Sequence, residues 1–233
     1  TMQTVTSLFT AGGSQAVSDA LGPSTAGTSR VLRLITNGAT SEVTVTKAVY
    51  NLTPVSARYG AKVLLDGPKK VGYLNLRTFI DTADPALRSA FANFKTQGVT
   101  ELIIDLRYNG GGLVSIAELM GDLMGGGRGG QIFAYTTFRP EKAAQNDRQK
   151  TFFSQTETIT PSKIAFIGAG GTASASELGM NSIRPYLGTS QALVGTNTFG
   201  KPVGQIALDR SLCDDRLRVV AFKSDNASRQ GDY

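Results

Sequence analysis

The stretch ELIIDLRYNGGG (residues 101–112) joins an apolar strand pattern to a glycine-rich loop, and a helical pattern follows over residues 115–124. The same succession recurs where KIAFIG (residues 163–168) leads into GAGGTASASE and a helical pattern over residues 174–185. Continuous apolar strands that alternate with helices favour an α/β fold with a largely parallel sheet. Both glycine-rich loops then lie at the carboxyl ends of strands, where open parallel sheets place their ligands.

The residues before the α/β pattern show a different arrangement of apolar residues. Two runs of alternating apolar residues, at 30–35 and 42–48, flank an Asn-Gly pair, a pattern typical of a β-hairpin. Pro54 follows and indicates a boundary, so we expect a β-rich segment over residues 1–54 and an α/β core over residues 55–233. Within the core, the remaining predicted elements are a strand at 71–77, a helix from Asp84-Pro85 to Gly98, and strands at 192–195 and 218–222.

Composition excludes several kinds of chemistry. Histidine is absent from the 233 residues and Cys213 is the only cysteine, which excludes a Ser-His-Asp triad, a Cys-His dyad and a His- or Cys-based metal centre in this chain. The net charge of +6 would suit nucleic acid, but the basic residues are interrupted by acids and carry no aromatic stripe, so we interpret them as a solvated surface. No apolar run approaches the roughly 18 residues of a membrane span.

The second glycine-rich loop offers a nucleophile. Ser174 begins the predicted helix, where backbone N–H groups stabilise negative charge, although Ser174 and Glu177 also fit a purely structural capping box. Ser176 is the alternative serine. Without histidine a serine needs another base, and a lysine kept neutral by desolvation is the known substitute; Lys201, in TFGKPVGQ, is the candidate. Neither loop fits a dinucleotide or P-loop pattern.

Three motifs in order, ELIIDLRYNGGG, GTASASE and TFGKPVGQ, resemble those of the C-terminal processing peptidases, also called tail-specific proteases. The family patterns run D-L-R-x-N-x-G-G, S-A-S-E and T-F-G-K-x-x-x-Q, and VGYLNLRTF is similar to a further family segment. The resemblance covers residues 71–205. It implies an α/β, ClpP/crotonase-like protease core over residues 55–233, preceded over residues 1–54 by the C-terminal part of a PDZ-like domain.

The resemblance also implies roles for individual residues. Ser174 takes the place of the nucleophile, Lys201 that of the general base, and Gln205 that of the glutamine that orients the lysine. No metal or organic cofactor is implied.

The backbone N–H of Ala175, with one from Gly111 or Gly112, is implied to form the oxyanion hole. Glu177 and Thr198 match motif positions that support the site.

Further implications concern the whole protein. The expected substrates are polypeptides that are unfolded or recognised by their C terminus, the expected location is the bacterial periplasm or cell envelope, and an oligomer is possible. A proline follows Lys201 where the family often has glycine, and the Ser-to-Lys separation is slightly longer than the commonest one. We expect the sequence to be a fragment of a longer protein, in which Cys213 could pair with a cysteine outside it.

Two other classes of function remain open from the sequence. A non-catalytic peptide-binding or scaffold protein would keep the fold and would be indifferent to replacement of Ser174. A crotonase-like acyl-CoA enzyme would use a related fold and a backbone oxyanion hole, but would give no role to the pairing of Ser174 with Lys201.

Overall fold

A computed structural model describes residues 2–213 and 215–231. The chain divides into two compact units, Thr1–Leu52 and Thr53–Tyr233. No helix in the described part of the chain is long and apolar enough to cross a membrane.

The first unit contains one helical segment and one hairpin. Helix α1 (Val5–Leu21) is interrupted by non-helical backbone at two consecutive glycines, and it precedes strands β1 (Ser29–Thr36) and β2 (Ala39–Thr46). The strands pair antiparallel across Asn37 and Gly38, which both have positive φ, as a two-residue primed turn requires. The predicted hairpin is confirmed, whereas the PDZ-like character of this unit stays a prediction.

The second unit contains nine strands and four α-helices in the described residues. In chain order they are β3 (Ala61–Asp66), β4 (Lys69–Asn75), α2 (Ala83–Thr96), β5 (Glu101–Asp105), α3 (Val114–Met124), β6 (Ile132–Phe138), α4 (Pro140–Asn146), β7 (Arg148–Thr151), β8 (Lys163–Gly168), α5 (Ala175–Leu187), β9 (Gln191–Gly195), β10 (Val203–Arg210) and β11 (Asp215–Asp225). The helices predicted over 84–98, 115–124 and 174–185 are confirmed within a few residues.

A five-stranded sheet carries the core of this unit. Its strand order is β3-β4-β5-β8-β9, in which β4, β5, β8 and β9 run parallel and β3 is antiparallel to β4. Alternate residues of the central strands, such as Leu74, Ile104 and Phe166, are fully buried in one cluster with the apolar faces of α2, α3 and α5. Burying each such side chain contributes about 1.5–3 kcal/mol. The largely parallel sheet expected from the sequence is confirmed.

A second sheet, which was not predicted, is antiparallel and has the order β10-β11-β6-β7. The run predicted as a strand at 218–222 belongs to this sheet, as part of β11, and not to the parallel one. The carbonyl oxygen of Pro202 accepts a hydrogen bond from the Ser224 N–H at 2.9 Å, just before β10 begins. This contact fixes the backbone directly after Lys201.

Candidate active site

The two glycine-rich loops meet at the carboxyl edge of the five-stranded sheet, because β5 and β8 are parallel neighbours. The Thr172 hydroxyl donates to the Leu106 carbonyl oxygen at 2.8 Å, and the Ala173 N–H donates to the Asn109 carbonyl oxygen at 3.1 Å. These bonds join the loop after β5 to the loop after β8. The expected ligand-binding edge of the sheet is therefore formed by both predicted loops.

Asn109 organises this junction, a role that was not predicted for it. Its side chain is fully buried; Nδ2 donates to the Leu76 carbonyl oxygen at 2.9 Å, and Oδ1 accepts the Gly111 N–H at 3.0 Å. Its carbonyl oxygen also accepts the hydroxyl of Ser176 at 2.9 Å. A buried polar residue is costly unless it is paired, so such complete pairing indicates that Asn109 holds the loop in one conformation.

The two candidate serines have different surroundings. Ser176 is fully buried and its hydroxyl is engaged by the Asn109 carbonyl, which makes Ser176 a structural residue. Ser174 is half-buried and begins α5 with φ 58° and ψ −115°, a conformation that non-glycine residues rarely adopt. Sparsely populated backbone conformations cluster at active sites, where the surrounding structure holds them in place.

The first glycine-rich loop approaches this serine very closely. A Cβ on Gly111 would lie 2.9 Å from the Ser174 Cβ and 2.8 Å from the Ala175 nitrogen, and the φ of Gly111 is 98°. Only glycine satisfies both conditions. The N–H of Gly111 is occupied by Asn109, whereas the N–H groups of Gly112 and Ala175 have no hydrogen-bond partner among the described residues.

Glu177 connects the serine to the lysine. The side chain is fully buried, and its Oε2 accepts the Ser174 N–H at 2.7 Å and the Lys201 N–H at 3.0 Å, while Oε1 accepts the Gly200 N–H at 2.6 Å. Since one oxygen atom accepts from both residues, the backbone nitrogens of Ser174 and Lys201 lie within about 6 Å of each other. The predicted capping box is present, because Glu177 accepts the Ser174 N–H. The same carboxylate also accepts the N–H groups of Gly200 and Lys201.

Ser174 and Lys201 also line one small cavity, together with Ala175 and the first residues of β10. Lys201 is half-buried there. In the part of the chain that the structure describes, the Ser174 hydroxyl and the Lys201 Nζ make no direct hydrogen bond. Both residues thus line the same cavity, and their side chains are not hydrogen-bonded to each other.

The other two sequence candidates lie further from this cavity. Gln205 is exposed on β10, beside an irregularity in the β10–β11 ladder, and it does not line the cavity that Ser174 and Lys201 share. Thr198 is half-buried and lines a separate cavity of about 310 Å³, on which Glu177 also borders. The roles expected for these two residues stay predictions.

A charged cluster supports the start of the first loop. Buried Asp105 accepts hydrogen bonds from the Arg107 guanidinium at 2.7 and 3.0 Å and from the Tyr73 hydroxyl at 2.8 Å. Burial disfavours the charged carboxylate, but these hydrogen bonds outweigh it and hold the pKa of Asp105 below its ordinary value. Burial and the hydrogen bond to Asp105 raise the pKa of Tyr73 to about 12.

Metal-ligating residues do not cluster at the site. Among residues 2–213 and 215–231, no three His, Cys, Asp or Glu side chains are grouped so as to hold a metal ion. Cys213 is exposed in the turn between β10 and β11.

The family model of peptidase family S41 matches residues 70–221, which is more than half of the chain. The chain belongs to this family. The carboxyl-terminal-processing protease of Synechocystis is 29% identical over 177 residues, which are 73% of this chain and 36% of that protein. The chloroplastic C-terminal processing peptidase of Tetradesmus obliquus is 28% identical over 183 residues, which are 74% of this chain and 36% of that protein.

Solved structures share the fold. An S41 protein of Bacteroides fragilis superposes with a TM-score of 0.72 at 24% identity, over 89% of this chain and 58% of that chain. The photosystem II D1 C-terminal processing protease gives a TM-score of 0.60 at 22% identity, over 88% of this chain and 52% of that chain. The resemblance read from the motifs is confirmed at the level of family and fold. The chain spans about a third of the length of the curated relatives named above.

Proposed function

We propose that this chain carries the active site of a serine endopeptidase, with Ser174 as nucleophile and Lys201 as general base. The observation that carries the proposal is the shared anchorage of both residues on the buried Glu177 carboxylate, beside a cavity that both side chains line. A lysine side chain is long enough to cover the short distance between the two backbones. Membership of a peptidase family supports the same function.

The reaction begins with proton transfer and attack. Neutral Lys201 takes the proton of the Ser174 hydroxyl as its oxygen bonds to the scissile carbonyl carbon, and negative charge develops on the carbonyl oxygen. The N–H groups of Gly112 and Ala175 donate to that oxygen, since the N–H of Gly111 is already bonded to Asn109. Of the two glycines expected from the sequence to form the oxyanion hole, the proposal therefore keeps Gly112.

In the second half of the reaction Lys201 acts first as a general acid and then again as a base. The Lys201 ammonium gives its proton to the leaving amine as the peptide C–N bond breaks, which leaves an ester on Ser174 and a neutral lysine. A water molecule then attacks the ester with Lys201 as base, and Ser174 regains its proton when the carboxylic acid product departs. No metal or organic cofactor takes part in this scheme.

The substrate class in the proposal is polypeptide, unfolded or recognised by its C terminus. An extended chain end is gripped by adding a strand to a sheet edge in the PDZ-like segment over residues 1–54. The proposal also places the protein outside the cytoplasm, in the bacterial periplasm or cell envelope, and allows an oligomer. Names of relatives that refer to C-terminal processing support the choice of substrate.

Cleavage of casein by the full-length protein tests the proposal. We expect Ser174→Ala and Lys201→Ala each to lower kcat/KM by at least about 10³-fold, because nucleophile and base act as a unit. Exposed Ser211 and Lys142 provide the matched controls, and Ser211→Ala and Lys142→Ala should cleave like the wild type. Full cleavage by Ser174→Ala would refute the nucleophile. An inactive wild-type protein that still binds casein would favour the peptide-binding alternative.

A further inference from the structure

The residues between β5 and the glycines of the first loop form a tight turn with an unfavourable occupant. The Asn109 N–H donates to the Leu106 carbonyl oxygen at 3.1 Å, which closes a β-turn whose third residue is Tyr108. Tyr108 has φ 63°, whereas Arg107 is not among the residues with positive φ. A turn with positive φ only at its third position is type II, and that position favours glycine or asparagine. An aromatic residue there is strained.

No polar or aromatic contact within the described residues compensates for this strained backbone at Tyr108. It is 87% exposed, and within the described residues it makes no hydrogen bond, ring stacking or cation–π contact. A residue that breaks a local rule without a compensating contact inside the fold is typical of a functional site. The exposed ring of Tyr108 is therefore free to contact a bound molecule.

The turn lies next to the proposed reaction centre. Asn109 follows Tyr108 directly, and its carbonyl oxygen accepts the N–H of Ala173, the residue before Ser174. Phe199, two residues before Lys201, is also 67% exposed, and its N–H donates to the Thr172 carbonyl oxygen at 2.9 Å. Residues 172–173, directly before Ser174, thus hydrogen-bond to two loops, and each of these loops carries an exposed aromatic ring.

We propose that Tyr108 is a substrate-binding residue, whose ring packs against a bulky apolar side chain of the polypeptide close to the bond that is cleaved. The inference rests on the proposed peptidase function and adds a sequence preference to it. Aromatic rings bury a large area with little loss of side-chain freedom, and unfolded chains present the apolar residues that folded ones hide. Such a contact would explain why the turn holds tyrosine where glycine or asparagine fits better.

The direct test measures binding in the full-length protein that carries Ser174→Ala, so that casein stays intact. Tyr108→Asn, which keeps a residue that accepts positive φ, should weaken casein binding by about 10-fold without lowering the melting temperature. Tyr108→Phe, which keeps the ring, should bind casein like the parent. Phe153→Ala removes another exposed ring, beside the C-terminal turn of α3, and should leave binding unchanged.

A second readout uses the active enzyme. Tyr108→Asn should raise KM for casein with little change in kcat, and the sites it cuts, mapped by mass spectrometry, should lose their preference for bulky apolar residues. Equal binding and an unchanged cleavage pattern in Tyr108→Asn would overturn the inference, whatever the activity of Ser174→Ala. Conversely, weakened binding in Tyr108→Asn would support the inference even if Ser174→Ala still cleaved casein, a result that refutes only the proposed nucleophile.

Discussion

The carboxylate of Glu177 accepts the backbone N–H of Lys201 at 3.0 Å, through the same oxygen that accepts the N–H of Ser174 at 2.7 Å. One buried side chain thus sets the separation between the segment that carries the proposed nucleophile and the segment that carries the proposed base. Because this carboxylate is fully buried and bonds three N–H groups, it acts as a positioning residue.

Replacing this carboxylate should separate the two segments. In Glu177→Gln the amide nitrogen cannot accept a hydrogen bond, so at least one backbone N–H loses its acceptor. We expect kcat/KM to fall by about 10- to 100-fold and the free energy of unfolding to fall by about 1–3 kcal/mol. Exposed Glu141 gives the control, and Glu141→Gln should match the wild type in both measurements. Normal activity in Glu177→Gln would contradict the positioning role.

The close approach of the first loop to the serine predicts a sharp contrast between neighbouring glycines. Gly111→Ala places a Cβ against Ser174 and Ala175 at a positive φ, so the loop must shift. We expect a loss of about 2 kcal/mol or more in the free energy of unfolding and nearly complete loss of cleavage. Gly110→Ala adds its Cβ to open space and should retain both stability and activity. Equal effects at the two positions would be inconsistent with the geometry.

The assignment of Ser174 over Ser176 has its own test. Ser176→Ala removes a hydroxyl whose hydrogen bond goes to the Asn109 carbonyl, so stability should fall by about 1 kcal/mol. Because Ser176 takes no part in the proposed chemistry, kcat should stay within about threefold of the wild type. Thermal unfolding and casein cleavage measure the two quantities, and a Ser176→Ala protein that is stable but inactive would reverse the assignment.

The cluster of Tyr73, Asp105 and Arg107 predicts how stability depends on acid. The pKa of Asp105 is lower in the folded protein than in the unfolded chain, so its contribution is present above the unfolded value and is lost as pH falls through the folded value. We expect the melting temperature of the wild type to fall more steeply below pH 3.8, the ordinary pKa, than that of Asp105→Asn. Asp66→Asn, which alters an exposed carboxylate at the end of β3, should keep the wild-type profile.

Sequence patterns predicted the elements that have one face in the core. The apolar runs of β5 and β8 and the helical spacing of α2 are dictated by burial against the same cluster, so they could be read directly. Strand β10 was missed because it follows Gly-Lys-Pro and is exposed along most of its length, which leaves no burial pattern to read. Its partner β11 follows directly along the chain, but β11 also pairs with β6, which is distant in sequence, and such a pairing leaves no local signal.

At the candidate active site, too, some features could be read from the sequence and others depend on the fold. The serine, the lysine and the glycines carry motifs; Ser174 and Lys201 line one cavity, and their catalytic roles stay predictions. The part played by Asn109 was not predicted, because it depends on carbonyl and N–H groups from three separate segments. A lone asparagine in a glycine-rich loop reads as a turn residue, and only its complete burial shows that it holds the two loops together.

Covalent labelling of the full-length protein tests the central claim, that Ser174 is a nucleophile activated by Lys201. A fluorophosphonate reacts with activated serines, and tandem mass spectrometry locates the adduct. The account predicts one adduct, on Ser174, that is lost in Lys201→Ala and kept in Lys142→Ala. An adduct on a different serine, or labelling of Ser174 that is unaffected by Lys201→Ala, would contradict it.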